Sequence, residues 1–127
     1  MDAVRFKIEY PPGKKKAAFC KRYGLNAIYA GKHWSKRSED SEYWHYLVKQ
    51  TMREHGIPKK MFDKPVEINF WWDDGLDCSN HAYMGKMIED AMRGYILKDD
   101  RRKYVKRISH EFHNYGYISV EVREYKP

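Results

Sequence analysis

Apolar and polar residues alternate at the start of the chain, with Val4, Phe6, Ile8 and Tyr10 set against Arg5, Lys7 and Glu9. A period of two predicts a half-buried strand, stopped by Pro11-Pro12-Gly13. From there to Arg37 no period stands out. Gly24, Asn26 and Gly31 predict a loop over 13–37, with a short hairpin around Ala27 to Ala30. The spacing then becomes helical: Trp44, Leu47, Val48, Thr51 and Met52 predict a helix from Ser38 to His55. Ser38 or Ser41 is its expected cap, and Gly56 and Pro58 its stop. Alternation returns from Pro65 to Trp72, where Val66, Ile68, Phe70 and Trp72 share a face. Asp73-Asp74-Gly75 is a turn, and Met84, Met87, Ile88, Ala91 and Met92 predict a second helix over Ser79 to Arg93, closed by Gly94. Tyr95 to Lys98 reads as a short strand. Tyr104 to His113 and Tyr117 to Tyr125 read as two strands joined by a hairpin at Asn114-Tyr115-Gly116. The expectation is one α+β domain over 1–127, a mixed sheet with two main helices on one face.

Composition sharpens this picture. With 127 residues, 42% hydrophobic and 16% aromatic, the chain has material for a real core. The net charge of +7 favours an anionic partner, and the charge is polarised. Lys14, Lys15, Lys16, Lys21, Arg22, Lys32, Lys36 and Arg37 lie in a stretch without a single acid, and Arg101, Arg102, Lys103, Lys106 and Arg107 form a second cluster. Acids concentrate between them, from Asp73 to Asp100. The two cysteines, Cys20 and Cys78, do not suggest a secreted disulfide scaffold. No run approaches the ~18 apolar residues of a membrane span, and the N-terminus lacks the apolar stretch of a signal peptide. A cytoplasmic protein with no membrane partner is expected.

The acids raise a specific chemistry. Asp77 follows a strand and a tight turn, and Asp99 and Asp100 follow the short strand after the second helix. A strand–helix–strand return is expected to bring the three to one end of the sheet. Converging carboxylates repel unless a cation binds, and hard oxygen donors suit Mg²⁺, with Mn²⁺ as a substitute. Such a metal serves phosphodiester hydrolysis. Asp as a helix cap and Asp-Asp as a turn explain the same residues structurally, and spacing alone leaves both readings open. Lys86 and Asp90, one turn apart and off the Met stripe, are either an exposed ion pair or a lysine aimed at a phosphate and oriented by its acid.

The run Leu76-Asp77-Cys78-Ser79-Asn80, then Lys86, Ile88-Glu89-Asp90-Ala91-Met92, Gly94 and Asp99-Asp100 resembles the RusA family of Holliday junction resolvases. The family pattern is Asp-x-Asp-Asn, a Lys, Asp-Ala-Leu, a Gly and Asp-Asp. The first strand with Pro11-Pro12, and Asn26 to Arg37 with His33-Trp34 and Lys36-Arg37, are also similar. The resemblance implies a homodimeric, Mg²⁺-dependent endonuclease, typical of phages and prophages, that resolves four-way DNA junctions by paired nicks. It implies Asp77, Asp99, Asp100 and Lys86 as catalytic residues, with Asp77, Asp99, Asp100 and Asp90 as metal ligands. The chain departs from the pattern twice. Ser79 stands where the family has its second Asp, and Asn80 lies three residues further from Lys86.

DNA contacts are expected from Lys14, Lys15, Lys16, Lys32, His33, Trp34, Lys36, Arg37, Arg101, Arg102 and Lys103. Trp34, Tyr29, Tyr23 and Phe19 interleave with the cations and are expected either to stack on unpaired bases or to bury against the sheet. His110 and His113 lack zinc spacing, and no glycine-rich phosphate loop is present, so no organic cofactor is expected. Two rivals stand beside the nuclease: a branched-DNA-binding protein that has weakened or lost its activity at Ser79, and a basic RNA-binding domain.

Overall fold

The computed structural model describes residues 2–127. Strand β1 (Val4–Glu9) leads into helix α1 (Lys15–Tyr23), the one-turn helix α2 (Leu25–Tyr29) and the long helix α3 (Trp34–Glu54). Strand β2 (Val66–Trp72) is followed by a 3-10 turn (Cys78–His81) and helix α4 (Ala82–Met92), then by β3 (Val105–Phe112) and β4 (Tyr117–Glu124). The four strands form one mixed sheet in the order β1-β4-β2-β3. Only β2 and β3 run parallel, from Val66 beside Val105 to Trp72 beside Phe112.

The alternation read from sequence sets which face is buried. Phe6, Ile8, Val66, Ile68, Phe70, Trp72, Ile118, Val120 and Val122 all join one core with Trp44, Val48 and Met52 of α3 and the Met84, Met87, Ile88, Ala91 and Met92 stripe of α4. The stripe is therefore core. The other sheet face is polar: Glu67 and Glu121 are buried there beneath Arg5, Arg107 and Arg123, which pair with them, and the Asn69 amide between them donates to both carboxylates. The domain is α+β with its two main helices on one face, as the sequence predicts. No helix is long and apolar enough to cross a membrane.

Four expectations are corrected. The basic stretch 13–37 is not a loop with a hairpin but two helices and the first turn of a third, because Phe19 and Tyr23 lie one turn apart and bury against Trp44. Helix α3 starts at Trp34, not Ser38, with His33 as its cap: Nδ1 of His33 accepts from the Ser35 amide at 3.2 Å. The segment after Gly94 (φ +82°) is a tight turn, not a strand, in which the amides of Tyr95, Ile96 and Leu97 all reach the Met92 carbonyl. Finally, β3 and β4 are not a hairpin. Strand β2 lies between them, and the 113–116 connection passes over its end, where the His113 amide donates to the Trp72 carbonyl and the Gly116 amide to Asp73 Oδ2.

Candidate metal centre and nucleic-acid interface

Helix α4 runs back along β2, and this direction decides which acids meet. Asp77 follows the end of β2, beside the turn that Gly116 closes. Asp99 and Asp100 lie at the other end, just before β3, where the Val66 amide donates to the Tyr104 carbonyl. Because β3 is parallel to β2 and no strand forms at 95–98, the chain does not return to Asp77's end. The 3-10 turn and the first turn of α4 stand between Asp77 and Lys86 along the chain. Asp77 is thus not brought to Asp99 and Asp100 as a single cluster.

A different acidic group does form. Glu89, Asp90 and Asp100 each offer a carboxylate oxygen, all within 4.8 Å of one another. They surround Lys86, whose Nζ lies 2.5 Å from Asp100, 3.1 Å from Asp90 and 3.5 Å from Glu89. The hydrogen bond from Lys86 is the main reason the Asp100 carboxyl drops to a pKa of about 2. Lys86 is raised in turn: partial burial works against its charge, but Asp100 and Asp90 outweigh it. Burial pushes Glu89 the other way, above the usual carboxylate range. Three carboxylates are a hard, oxygen-only donor set, and the group could hold a metal ion. Glu89, Asp90 and Asp100 would hold such an ion, whose charge would replace the balance that the Lys86 ammonium supplies to them. Asp99 stands beside the group, accepting from the Asp100 amide at 2.8 Å and from Arg101 Nε at 2.7 Å, with Arg93 within 4 Å of both acids.

Glu89 was not singled out from the sequence. It sits next to Ile88 of the apolar stripe and is 4% exposed. The available signal was its place one turn from Lys86. Asp77 heads the 3-10 turn without a side-chain capping bond, and among the described residues its carboxylate has no hydrogen-bond or ion-pair partner. Asp74 accepts from the Leu76 amide within the turn, and also from Tyr10 Oη at 2.8 Å and from His81 Nε2 at 2.7 Å. Burial would raise Asp74's pKa, but His81 and Tyr10 bring it below the usual range. Ser79 is exposed.

The cationic residues divide between the two ends. Lys14, Lys15 and Lys16 begin α1 near Asp73, whose carbonyl accepts from Lys16 Nζ. Arg101, Arg102 and Lys103 follow Asp100 and are exposed. Lys36 and Arg37 are exposed on α3, whereas the Lys32 ammonium is bound to Asp40 at 2.7 Å. Trp34 is 67% and Tyr29 80% exposed, while Phe19 and Tyr23 are core. No protein-family model matches the chain, and no curated protein matches it.

Proposed function

We propose that the protein is a divalent-metal-dependent endonuclease that acts on branched DNA, resolving four-way junctions as a homodimer. The Glu89–Asp90–Asp100 group around Lys86 carries this reading, because it joins hard ligands and a lysine ammonium beside the exposed Arg101, Arg102 and Lys103. The RusA-like run from Asp77 to Asp100 supports it. Asp100, Asp90 and Glu89 are the ligands, with Mg²⁺ the ion their oxygens suit best. Held by these three residues, an ion would supply Lewis-acid activation of water and charge neutralisation at the scissile phosphate. Lys86, released from Asp100, faces a phosphate oxygen or the leaving group. Asp99 holds the Asp100 backbone amide and fixes the loop. Asp77, unpartnered at the other end, has a role in cleavage only through a second locus on the DNA.

A four-way junction and a matched linear duplex, each with and without Mg²⁺, test this directly. Selective, Mg²⁺-dependent cleavage of the junction is expected. Asp100→Asn is expected to lower it at least 100-fold with junction affinity nearly unchanged. Cleavage untouched in Asp100→Asn removes the acidic group from catalysis, and cleavage untouched in Asp77→Asn removes Asp77.

One observation favours a second reading, a branched-DNA-binding protein without activity: Lys86 already balances the acids, and Ser79 provides no charged ligand near Asp77. Junction affinity with no cleavage at any Mg²⁺ concentration, and cleavage gained by Ser79→Asp, are its expected results.

A further inference from the structure

A cavity of about 590 Å³ opens between α1, α2, the first turn of α3 and the 3-10 turn. Ala27, Ala30 and Leu76 give it apolar walls, and Gly24 and Gly31 add lining without side chains. Two amides, Asn26 and Asn80, also line it. Asn80 Oδ1 accepts from the Asn26 backbone amide at 2.9 Å, and among the described residues Asn80 Nδ2 has no acceptor. The charge of the lining is one-sided: Lys21, Lys32 and Lys36 contribute to it, and no carboxylate does. Lys32 is committed to Asp40, but Lys21 is exposed and unpaired and Lys36 is mostly solvated. The two most exposed aromatics of the region, Tyr29 and Trp34, adjoin lining residues Ala30 and His33.

These features select a ligand class. The volume lies in the range of small-molecule sites. A ligand with flat apolar faces, a hydrogen-bonding edge and attached negative charge matches the apolar walls, the free amide and the lysine rim. An unpaired nucleotide has all three. We propose that the cavity binds one unpaired base of a DNA strand between Ala27 and Leu76, with its edge on Asn80 and its flanking phosphates on Lys21 and Lys36. The site takes bases that are already unpaired, since extruding a paired base costs a few kcal/mol more. Tyr29 and Trp34 stack on its neighbours. This rests on the reading of the protein as a DNA-binding protein, and it extends that reading to how a branch point is recognised. Leu76 and Asn80 flank Asp77 in the chain, so a captured base brings its backbone to that free carboxylate.

Anisotropy titrations in EDTA, at fixed salt, test the proposal with three fluorescent duplexes: fully paired, bearing one bulged adenosine, and bearing one bulged abasic residue. The bulged adenosine is expected to bind about tenfold more tightly than either of the others, the worth of one stacked base. Ala27→Leu, which narrows the cavity on a helical site, is expected to bring that ratio close to one. Ala30→Leu, on an exposed position of the same wall, reads the same ratio if Ala27→Leu does not fold. Equal affinity for the bulged base and the abasic bulge overturns the proposal, as does a preference that survives both substitutions. Because no cleavage is involved, a base preference with no nuclease activity sinks only the catalytic reading. Junction cleavage with no base preference sinks only the cavity.

Discussion

Asp40 is fully buried, and groups from three other segments reach it. Arg22 of α1 binds one carboxylate oxygen at 2.9 Å; Lys32 and Tyr83 bind the other at 2.7 and 2.8 Å. Burial by itself would raise this acid, but Lys32, Tyr83 and Arg22 outweigh it and hold its pKa below the usual range. A depressed folded-state pKa stabilises the fold above the unfolded value of about 4 and loses that contribution as pH falls through the folded value. Asp40→Asn keeps the shape and leaves Lys32 buried without its counter-charge. A loss of about 3 kcal/mol at pH 7 is expected, in the range for breaking a buried pair. Urea unfolding from pH 5 to pH 2 should then show a shallower acid limb in the variant, with Asp74 retaining part of it. Equal slopes would remove Asp40 from the acid response. None of this was legible in the sequence, where Asp40 reads as a polar residue near the start of an amphipathic helix. Its partners come from 8 to 43 residues away, and such convergence exists only once the helices dock.

Element by element, the chain shows its periods far better than its pairings. Both core strands and the α4 stripe follow directly from alternation and helical spacing. The supposed hairpin fails because a glycine-bearing turn between two strands does not say whether a third strand inserts; Trp72 and Asp73 capture the connection instead. The acidic convergence read from sequence differs for the same kind of reason: Asp100 meets Glu89 and Asp90 rather than Asp77, because which acids meet depends on strand direction, which periodicity does not encode. One close approach does set the α4 position. A Cβ on Gly85 would stand 3.0 Å from His110 Cε1 and 3.4 Å from Phe70. His110 cannot easily move, since it stacks on Phe70 and accepts from Trp72 Nε1 at 3.0 Å. Alanine gains up to ~1 kcal/mol of helix propensity over glycine, but the clash should win. Gly85→Ala is therefore expected to lower the unfolding midpoint. In a His110→Ala background, where the ring is gone, the same change should raise it, and a double-mutant cycle reads this sign reversal. A gain in the parent protein would show that α4 sits further from the sheet.

At the scale of the whole molecule, cations and candidate sites are split between two ends of one sheet. Lys14 and Lys15 lie with Asp77 at the end where β2 finishes, and Arg102 and Lys103 lie with Asp100 where it begins. The two cation pairs lie at opposite ends of β2, about 20 Å apart along the strand, roughly six base steps along one DNA strand at ~3.4 Å each. A DNA arm lying across the molecule can therefore touch both ends at once, and salt dependence measures whether it does. Each lost phosphate contact should flatten the plot of log affinity against log salt by about 0.9. Lys14→Ala with Lys15→Ala is expected to reduce the slope by about 1.8, and Arg102→Ala with Lys103→Ala by a similar amount. If one arm bridges both ends, the four changes together give about twice either pair. If only the Arg102–Lys103 pair matters, DNA sits at the acidic group alone, and Asp77 and the nearby cavity lose their claim on the substrate. A slope unmoved by any of these variants removes both ends from the DNA interface. Scoring junction cleavage on the same four proteins then tells whether binding across the sheet is what carries the scissile phosphate to Asp100.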